Sequence, residues 1–162
     1  MKLKRNLILG IDPGLTGAFA LYDPEKGEPV EIHDMPLMKF NVGDKKKVLD
    51  LPALSFTIDA LAPRILLAMI EEVHAMPNQG VVSMFRFGMV TGQVHGILSA
   101  NYIPIFFTKP AVWKGAMNLG RDKEGSMRMA KLKYPGHTHL FLNHGRAEAL
   151  LIAEFGARFL KN

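Results

Sequence analysis

The chain has 162 residues, a net charge of +5 and no cysteine. Its length fits one domain, residues 1–162, and a hydrophobic content of 48% excludes a disordered chain. The lack of cysteine excludes disulfides, thiolate zinc sites and cysteine nucleophiles. The apolar run that follows the basic N-terminus stops at Asp12 and Pro13, too early for a signal peptide or a membrane span, so we expect a cytoplasmic protein without membrane contact. The basic excess favours a nucleic-acid partner without deciding it.

Apolar runs and turn residues predict the elements in chain order. Glycine and proline bound the first strands, Asp50 is a predicted N-cap, and a run that is apolar throughout predicts a central buried strand. The predicted strands are 6–12, 18–22, 30–34, 64–70 and 103–108. The segment 39–50 is polar and is predicted to be a loop. The predicted helices are 50–61, 83–101, a short one from 109–110 through 113–114, 122–134 and 145–160.

This order predicts an α/β fold with a five-stranded mixed sheet, whose first three strands are antiparallel, and helices on both faces. It matches the ribonuclease-H-like layout.

Acidic residues lie at the ends of three predicted elements. Asp12 ends the first strand, Glu71 follows the central strand, and Glu148 lies near the start of the last helix. Such carboxylates suggest a divalent-metal site that acts on a polyanion. Two alternatives remain open for the individual motifs. Asp-Pro-Gly is also ordinary turn chemistry and opens the phosphate loop of actin-like ATPases, and Glu71 can also be satisfied by a salt bridge or solvent.

The helix predicted at 83–101 carries two features of interest. Phe85 and Phe87 are expected to pack in the core, whereas Arg86 is a candidate phosphate contact. Gly88, Gly92 and Gly96 make one smooth helix face, which we expect to pack on the sheet, with a homodimer contact as the alternative.

A basic stretch with Trp113 follows. It predicts a phosphate-facing surface, and a solvated helix face is the alternative for its individual members. The stretch comprises Lys109, Lys114, Arg121, Lys123, Arg128, Lys131 and Lys133.

Together these motifs resemble the RuvC-like Holliday junction resolvases, most closely the branch found in phages and plant chloroplasts. The resemblance covers nearly the whole chain. It rests on Gly10-Ile11-Asp12-Pro13-Gly14 with Gly17-Ala18, Ile70-Glu71-Glu72-Val73-His74, Gln79-Gly80, Ser83, Phe87-Gly88, Gly92, Val112-Trp113-Lys114, Lys123-Glu124 with Ser126 and Arg128, and the run from His144 to Ala153.

The resemblance implies a homodimer in which each subunit nicks one of two symmetric strands of a four-way or branched DNA. It implies that Asp12, Glu71 and Glu148 are acids of a site holding two Mg²⁺ ions, with Mn²⁺ as a substitute, and that Lys123 offsets charge on the phosphorane. No nucleotide cofactor is expected. His74 falls where bacterial relatives carry an aromatic residue that stacks in the junction. The candidate DNA contacts are His74, Gln79, Ser83, Arg86, Lys114, Arg121, Arg128 and Arg146.

Asn143 departs from the pattern of this branch, which usually has aspartate there. Its amide offers a metal one carbonyl oxygen but no charge, although it keeps a place among the candidate catalytic and metal-binding residues. The sequence therefore predicts a weakened or inactive nuclease, unless Glu148 supplies the missing charge. The alternative function is a catalytically dead protein of the same fold that binds branched DNA. An actin-like ATPase would need a second phosphate-binding glycine turn and an adenosine motif, which the sequence lacks.

Overall fold

The computed structural model describes residues 5–39, 41, 43, 47–72, 80–120 and 123–160, without the side chain of Lys123. The strands are β1 Leu7–Asp12, β2 Ala18–Asp23, β3 Glu28–Asp34, β4 Leu37–Lys39, β5 Lys47–Leu49, β6 Ile65–Glu71 and β7 Ile105–Thr108. The helices are α1 Leu51–Leu61, α2 Val81–Ala100, α3 Pro110–Ala116, α4 Lys123–Lys133 and α5 His144–Phe159, with short 3₁₀ helices at Ala62–Arg64 and Pro135–Leu140. None of these helices is long and apolar enough to cross a bilayer.

Five strands form one mixed sheet in the order β3-β2-β1-β6-β7. The β1–β2 and β2–β3 pairs are antiparallel, whereas β6 runs parallel to β1 and β7 runs parallel to β6. This confirms the predicted α/β fold with its antiparallel opening. Ile11 pairs with Ile70 on the parallel strands β1 and β6. Asp12 and Glu71 are the next and last residues of these strands, so they lie side by side at the same edge of the sheet.

The prediction of a loop over 39–50 is wrong at both ends. Lys39 pairs with Lys47, and Leu37 pairs with Leu49, so β4 and β5 form a separate two-stranded sheet. Only Leu49 is buried in these six strand residues, so they lack the alternation of a half-buried strand and gave no strand signal. Asp50 then caps α1 as predicted, because its Oδ1 accepts from Ala53 N at 3.0 Å.

The two faces of the sheet support separate hydrophobic clusters. One face packs against α5, α3 and α4, through residues such as Ile8, Met69 and Ile152. The other face packs against α1 and α2, through residues such as Leu9 and Ile70. Alternation along β1 and β6 divides their side chains between the two clusters, which is why both strands read as continuous apolar runs.

Glycines let α5 lie directly on β1. A Cβ on Gly10 would fall 2.1 Å from Ala149 O, and one on Gly145 would fall 2.6 Å from Thr16 O. Any side chain at either position would push the helix away. This close approach holds the first turns of α5, and with them Glu148, against the end of β1.

Two predictions about α2 are wrong. Gly88, Gly92 and Gly96 do not pack on the sheet, since an added Cβ at each would meet nothing within 4 Å. Phe85 is 72% exposed rather than a core residue, and Phe87 is only half-buried. The reason is rotation of the helix, because α2 buries Val90, Val94 and Leu98 instead, and the glycines fall outside that face.

Candidate active site

Asp12 ends β1 and enters a tight turn. Gly14 N donates to its Oδ1 at 3.3 Å. A Cβ on Gly17 would lie 2.2 Å from the Asp12 carbonyl oxygen, so only glycine lets the turn close around the carboxylate. Loss of hydration raises the pKa of Asp12 to about 6, and the charges of Glu71 and Glu148 add to that rise, against the Gly14 hydrogen bond and the charge of Lys114.

Glu71 ends β6 beside Asp12. Its Oε1 accepts from Trp113 Nε1 at 2.9 Å, which fixes the direction of the carboxylate. Burial raises the pKa of Glu71, and the charge of Glu148 adds to the rise, although the Trp113 hydrogen bond opposes it. Trp113 is fully buried, so α3 supplies this donor from inside the core.

Glu148 lies in the second turn of α5. Its Oε1 accepts from Lys114 Nζ at 2.8 Å and from Ser126 Oγ at 3.2 Å. The charge of Glu148 acts on both Asp12 and Glu71, so the three carboxylates share one electrostatic site.

Lys114 is a cation of this site among the described residues. Besides contacting Glu148, its charge lowers the pKa of both Asp12 and Glu71, and its Nζ lies 5.1 Å from the centre of the Trp113 ring. The sequence motif Val112-Trp113-Lys114 carried a signal for this segment, but neither the donor role of Trp113 nor the ion pair of Lys114 was predicted. Ser126 was a motif residue without a predicted role.

The donor set fits a hard divalent cation. Three carboxylates from β1, β6 and α5 offer anionic oxygens, which Mg²⁺ and Mn²⁺ prefer. The Lys114 ammonium pairs with one of them and partly neutralises their charge, as a bound metal cation would. In the described part of the chain, no three Asp, Glu or His side chains converge closely enough to hold an ion as they stand. The electrostatic coupling acts over longer distances than coordination, so both observations hold, and binding requires the carboxylates to close in.

Asn143 has two partners of its own. It is the N-cap of α5, where its Oδ1 accepts from Arg146 N at 2.9 Å, and its Nδ2 donates to Asp34 Oδ1 at 3.0 Å. Arg146 binds both oxygens of Asp34, from Nε at 2.7 Å and from Nη2 at 2.9 Å. These hydrogen bonds, those of Arg146 foremost, lower the pKa of Asp34.

Solved structures of known proteins match this architecture. Thermus thermophilus RuvC in complex with a Holliday junction substrate matches with a TM-score of 0.61 at 20% identity, over 94% of this chain and 95% of that one. The chain has the RuvC fold. Another T. thermophilus RuvC structure matches with a TM-score of 0.52 at 20% identity, over 94% of this chain and 96% of that one. The yeast mitochondrial Holliday junction resolvase Ydc2 matches with a TM-score of 0.61 at 15% identity, over 99% of this chain and 81% of that one. No family model and no curated protein matches the sequence.

The structure also places some of the other predicted site residues within this RuvC fold. Ser83 and Arg86 are exposed on the first turns of α2, and Arg128 is exposed on α4. Arg146 is paired with Asp34, and the hydrogen bonds to that carboxylate raise the pKa of Arg146. His74, Gln79, Arg121 and the side chain of Lys123 lie outside the described residues, so their roles stay predictions.

Proposed function

We propose that the chain is a metal-dependent, structure-selective endonuclease that acts on four-way DNA junctions. The observation that carries the proposal is the group of three coupled carboxylates at one edge of a RuvC fold, with the pKa of Asp12 raised to about 6. Carboxylates with raised pKa values in a cleft are typical of functional sites. T. thermophilus RuvC has been captured with a Holliday junction substrate, which supports the choice of DNA.

Asp12, Glu71 and Glu148 are the residues that would hold Mg²⁺ or Mn²⁺. A bound pair of ions would supply the positive charge that activates water and stabilises the leaving oxygen of a phosphodiester. Asp12 must lose its proton for that role, and above its pKa the carboxylate is available. Trp113 orients Glu71, and Ser126 orients Glu148 through its hydroxyl.

Lys114 and Lys123 would act on the phosphate. Lys114 carries a positive charge that acts on the acids, so it is placed to neutralise a phosphate oxygen that approaches them. Lys123 begins α4 and is the second candidate for this role.

A second candidate function follows from Asn143. Its carbonyl oxygen is engaged as the α5 cap, and its amide nitrogen is engaged with Asp34, so it contributes neither charge nor a free oxygen to the acids. This supports a weakened enzyme or a branched-DNA-binding protein without cleavage.

A cleavage assay on a synthetic mobile junction with Mg²⁺ and with Mn²⁺ distinguishes the two functions. We expect weak or no paired nicking by the unaltered chain, activity after Asn143→Asp, and none after Asp12→Asn. A gel shift on the same junction should show binding by all three proteins, weakening steeply with salt. Intact junctions with the Asn143→Asp protein in both metals would leave only the binding function, and loss of the gel shift would remove both.

We further propose that α2 forms a homodimer contact. Its exposed face carries a stripe in which three glycines follow Phe85 and Val81, so a second helix could approach closely. Glycine in a helix costs about 1 kcal/mol relative to alanine, and a close contact would compensate for it.

Sedimentation of the Gly92→Leu variant tests this contact. Dimerisation should weaken, while the variant folds normally because nothing in the described chain lies within 4 Å of the added Cβ. Gly120→Leu, at an exposed glycine outside α2, is the control. An unchanged dimer would place the contact elsewhere.

A further inference from the structure

A cavity lies along the edge strand β7, and its lining includes Glu72 and Val112, the sequence neighbours of Glu71 and Trp113. Its volume is about 460 Å³, within the range of roughly 300–1,000 Å³ typical of small-ligand sites. Four of its nine lining residues are aromatic, namely Phe106 and Phe107 of β7 and Phe155 and Phe159 of α5. The Phe106 and Phe159 rings lie 5.6 Å apart at 51°, so they do not stack on each other, whereas the Phe107 ring packs edge-on with His95 of α2 at 4.9 Å.

A buried polar group lines this aromatic cavity. Thr108 is only 5% exposed, and its Oγ1 is buried without a hydrogen-bond partner among the described residues. A buried hydroxyl without a partner is unfavourable, and such groups in folded proteins usually meet water or a ligand. Thr108 also lines the cavity, so a ligand whose polar edge reached this hydroxyl would supply the missing partner.

Two opposite charges accompany Thr108. Lys109 and Glu72 both line the cavity, and neither forms an ion pair in the part of the chain that the structure describes. A carboxylate accepts hydrogen bonds from amino groups, whereas a lysine binds a phosphate. The cavity thus offers stacking surfaces, an acceptor and a cation within one site.

We propose that this cavity binds one unpaired nucleotide. Aromatic side chains stack on any base, and a carboxylate favours the exocyclic amino group of cytosine, as with Glu and Asp in DNA grooves. Thymine lacks such a group, so the site should discriminate against it. Lys109 would meet the phosphate. The proposal relies on the proposed function only for the source of the nucleotide, which is an unpaired strand at a branch point.

The test titrates the metal-free full-length protein with dCMP and TMP, and with tetradeoxycytidylate and tetrathymidylate, by calorimetry. We expect the cytosine ligands to bind at least 5-fold more tightly than the thymine ligands. Binding of the tetranucleotide alone would assign the site to a DNA strand, and binding of both would show that a free nucleotide suffices. If none of the four binds, the proposal is overturned.

Two variants locate the binding. Thr108→Val keeps the shape and removes the unpartnered hydroxyl, so it should fold and weaken cytosine binding about 5- to 10-fold. Glu72→Gln should erase the preference for cytosine over thymine. Thr57→Val, the same change on α1 outside the cavity, should leave binding unchanged. Binding that is indifferent to the Thr108 and Glu72 changes contradicts the proposal.

Junction cleavage is scored separately from these titrations. A protein that binds nucleotides here but neither cleaves nor binds junctions would retain the cavity site and lose the proposed function. A protein that acts on junctions but ignores all four ligands would do the reverse.

Discussion

Asp12 and Glu154 are both carboxylates removed from bulk water, yet their surroundings differ. Glu154 accepts hydrogen bonds from Lys133, from Tyr134 at 2.8 Å and from Arg158 at 2.7 Å. Burial alone would raise the pKa of Glu154, but these three donors lower it. Asp12 has one backbone donor at 3.3 Å, and its pKa is raised.

The comparison separates a carboxylate whose charge is fully paired from one that is left open to a further cation. Burial penalises both charges, so the donors around each decide whether the fold favours or opposes its ionised form. The Glu154 cluster is a completed ion network, whereas among the described side chains the three acids around Asp12 share the charge of Lys114 and gain from any further cation.

The largest expected effect is at Glu154. Glu154→Gln removes a charge that is 8% exposed and leaves the positive charges of Lys133 and Arg158 without their anion. We expect the free energy of unfolding to fall by about 3 kcal/mol, as when one partner of a buried ion pair is lost. Urea unfolding measures it, with Glu31→Gln as the control.

Glu31 also accepts from two side chains, those of Arg64 and His33, but at a more exposed position. Its replacement should cost less than 1 kcal/mol. Equal losses at the two glutamates would show that burial does not distinguish them.

Asp12→Asn should raise the free energy of unfolding rather than lower it. A pKa unit corresponds to about 1.4 kcal/mol, so a rise from 3.8 to about 6 means that neutralising Asp12 stabilises the metal-free protein by about 2–3 kcal/mol at pH 7.5. The measurement is urea unfolding in EDTA. A less stable Asp12→Asn protein would contradict the electrostatic account of the site.

The contribution of Asp12 to the free energy of unfolding should depend on pH in one direction. Because the folded pKa of Asp12 lies above the unfolded one, the folded state holds more protons between pH 3.8 and about 6. The contribution of Asp12 to stability therefore falls as the pH rises through that window. The advantage of Asp12→Asn should be complete above pH 6 and disappear toward pH 4.

The same contrast explains how far the sequence predicts this site. Asp12 and Glu71 were predicted because each follows an apolar strand, and the structure shows that these strands, β1 and β6, are neighbours in the sheet. Glu148 was predicted from its place at the start of a helix, and Gly145 and Gly10 hold that helix against β1. Strands and helices have local sequence patterns, such as apolar runs and capping residues, so the positions of these acids at element ends could be predicted.

Side-chain contacts between helices could not be predicted from the sequence. Which lysine of the basic stretch meets which glutamate depends on how α3 and α4 rotate against α5, and residue spacing within a short helix does not fix that. The pairs Lys114–Glu148 and Lys133–Glu154 are of this kind. The rotation of α2, which exposes its glycines, was missed for the same reason.

Lys114→Met sharpens the comparison of the two lysines. Without metal, the three acids lose their cation, and we expect a loss of about 1–2 kcal/mol. Mg²⁺ should recover much of it, because an ion that binds only the folded state stabilises that state. The corresponding loss in Lys133→Met should not respond to Mg²⁺. Thermal unfolding with EDTA and with Mg²⁺ measures both, and equal responses would remove the distinction.

The smallest effect is expected at Asn143. Asn143→Asp keeps an N-cap oxygen for α5 and adds a favourable negative charge at the helix N-terminus. It also replaces the amide donor to Asp34 with a second carboxylate, so two like charges meet. Asp34 is 50% exposed and stays paired with Arg146, which screens the repulsion. We therefore expect a net loss of about 0.5–1 kcal/mol at low salt, shrinking as salt is added.

The exchanged pair Asp34→Asn with Asn143→Asp isolates this repulsion. The new Asn amide can donate to the new carboxylate, which removes the repulsion, although Asp34→Asn also removes the ion pair with Arg146. The loss in the double variant should therefore be smaller than the sum of the two single losses, and a double-mutant cycle by urea unfolding gives the coupling. Strict additivity of the two changes would show that residues 34 and 143 do not interact. The exchange also sharpens the cleavage assay, because it supplies the carboxylate at residue 143 while sparing the helix start from repulsion. Cleavage that is greater in the exchanged pair than in Asn143→Asp alone would assign the difference to the geometry of that carboxylate.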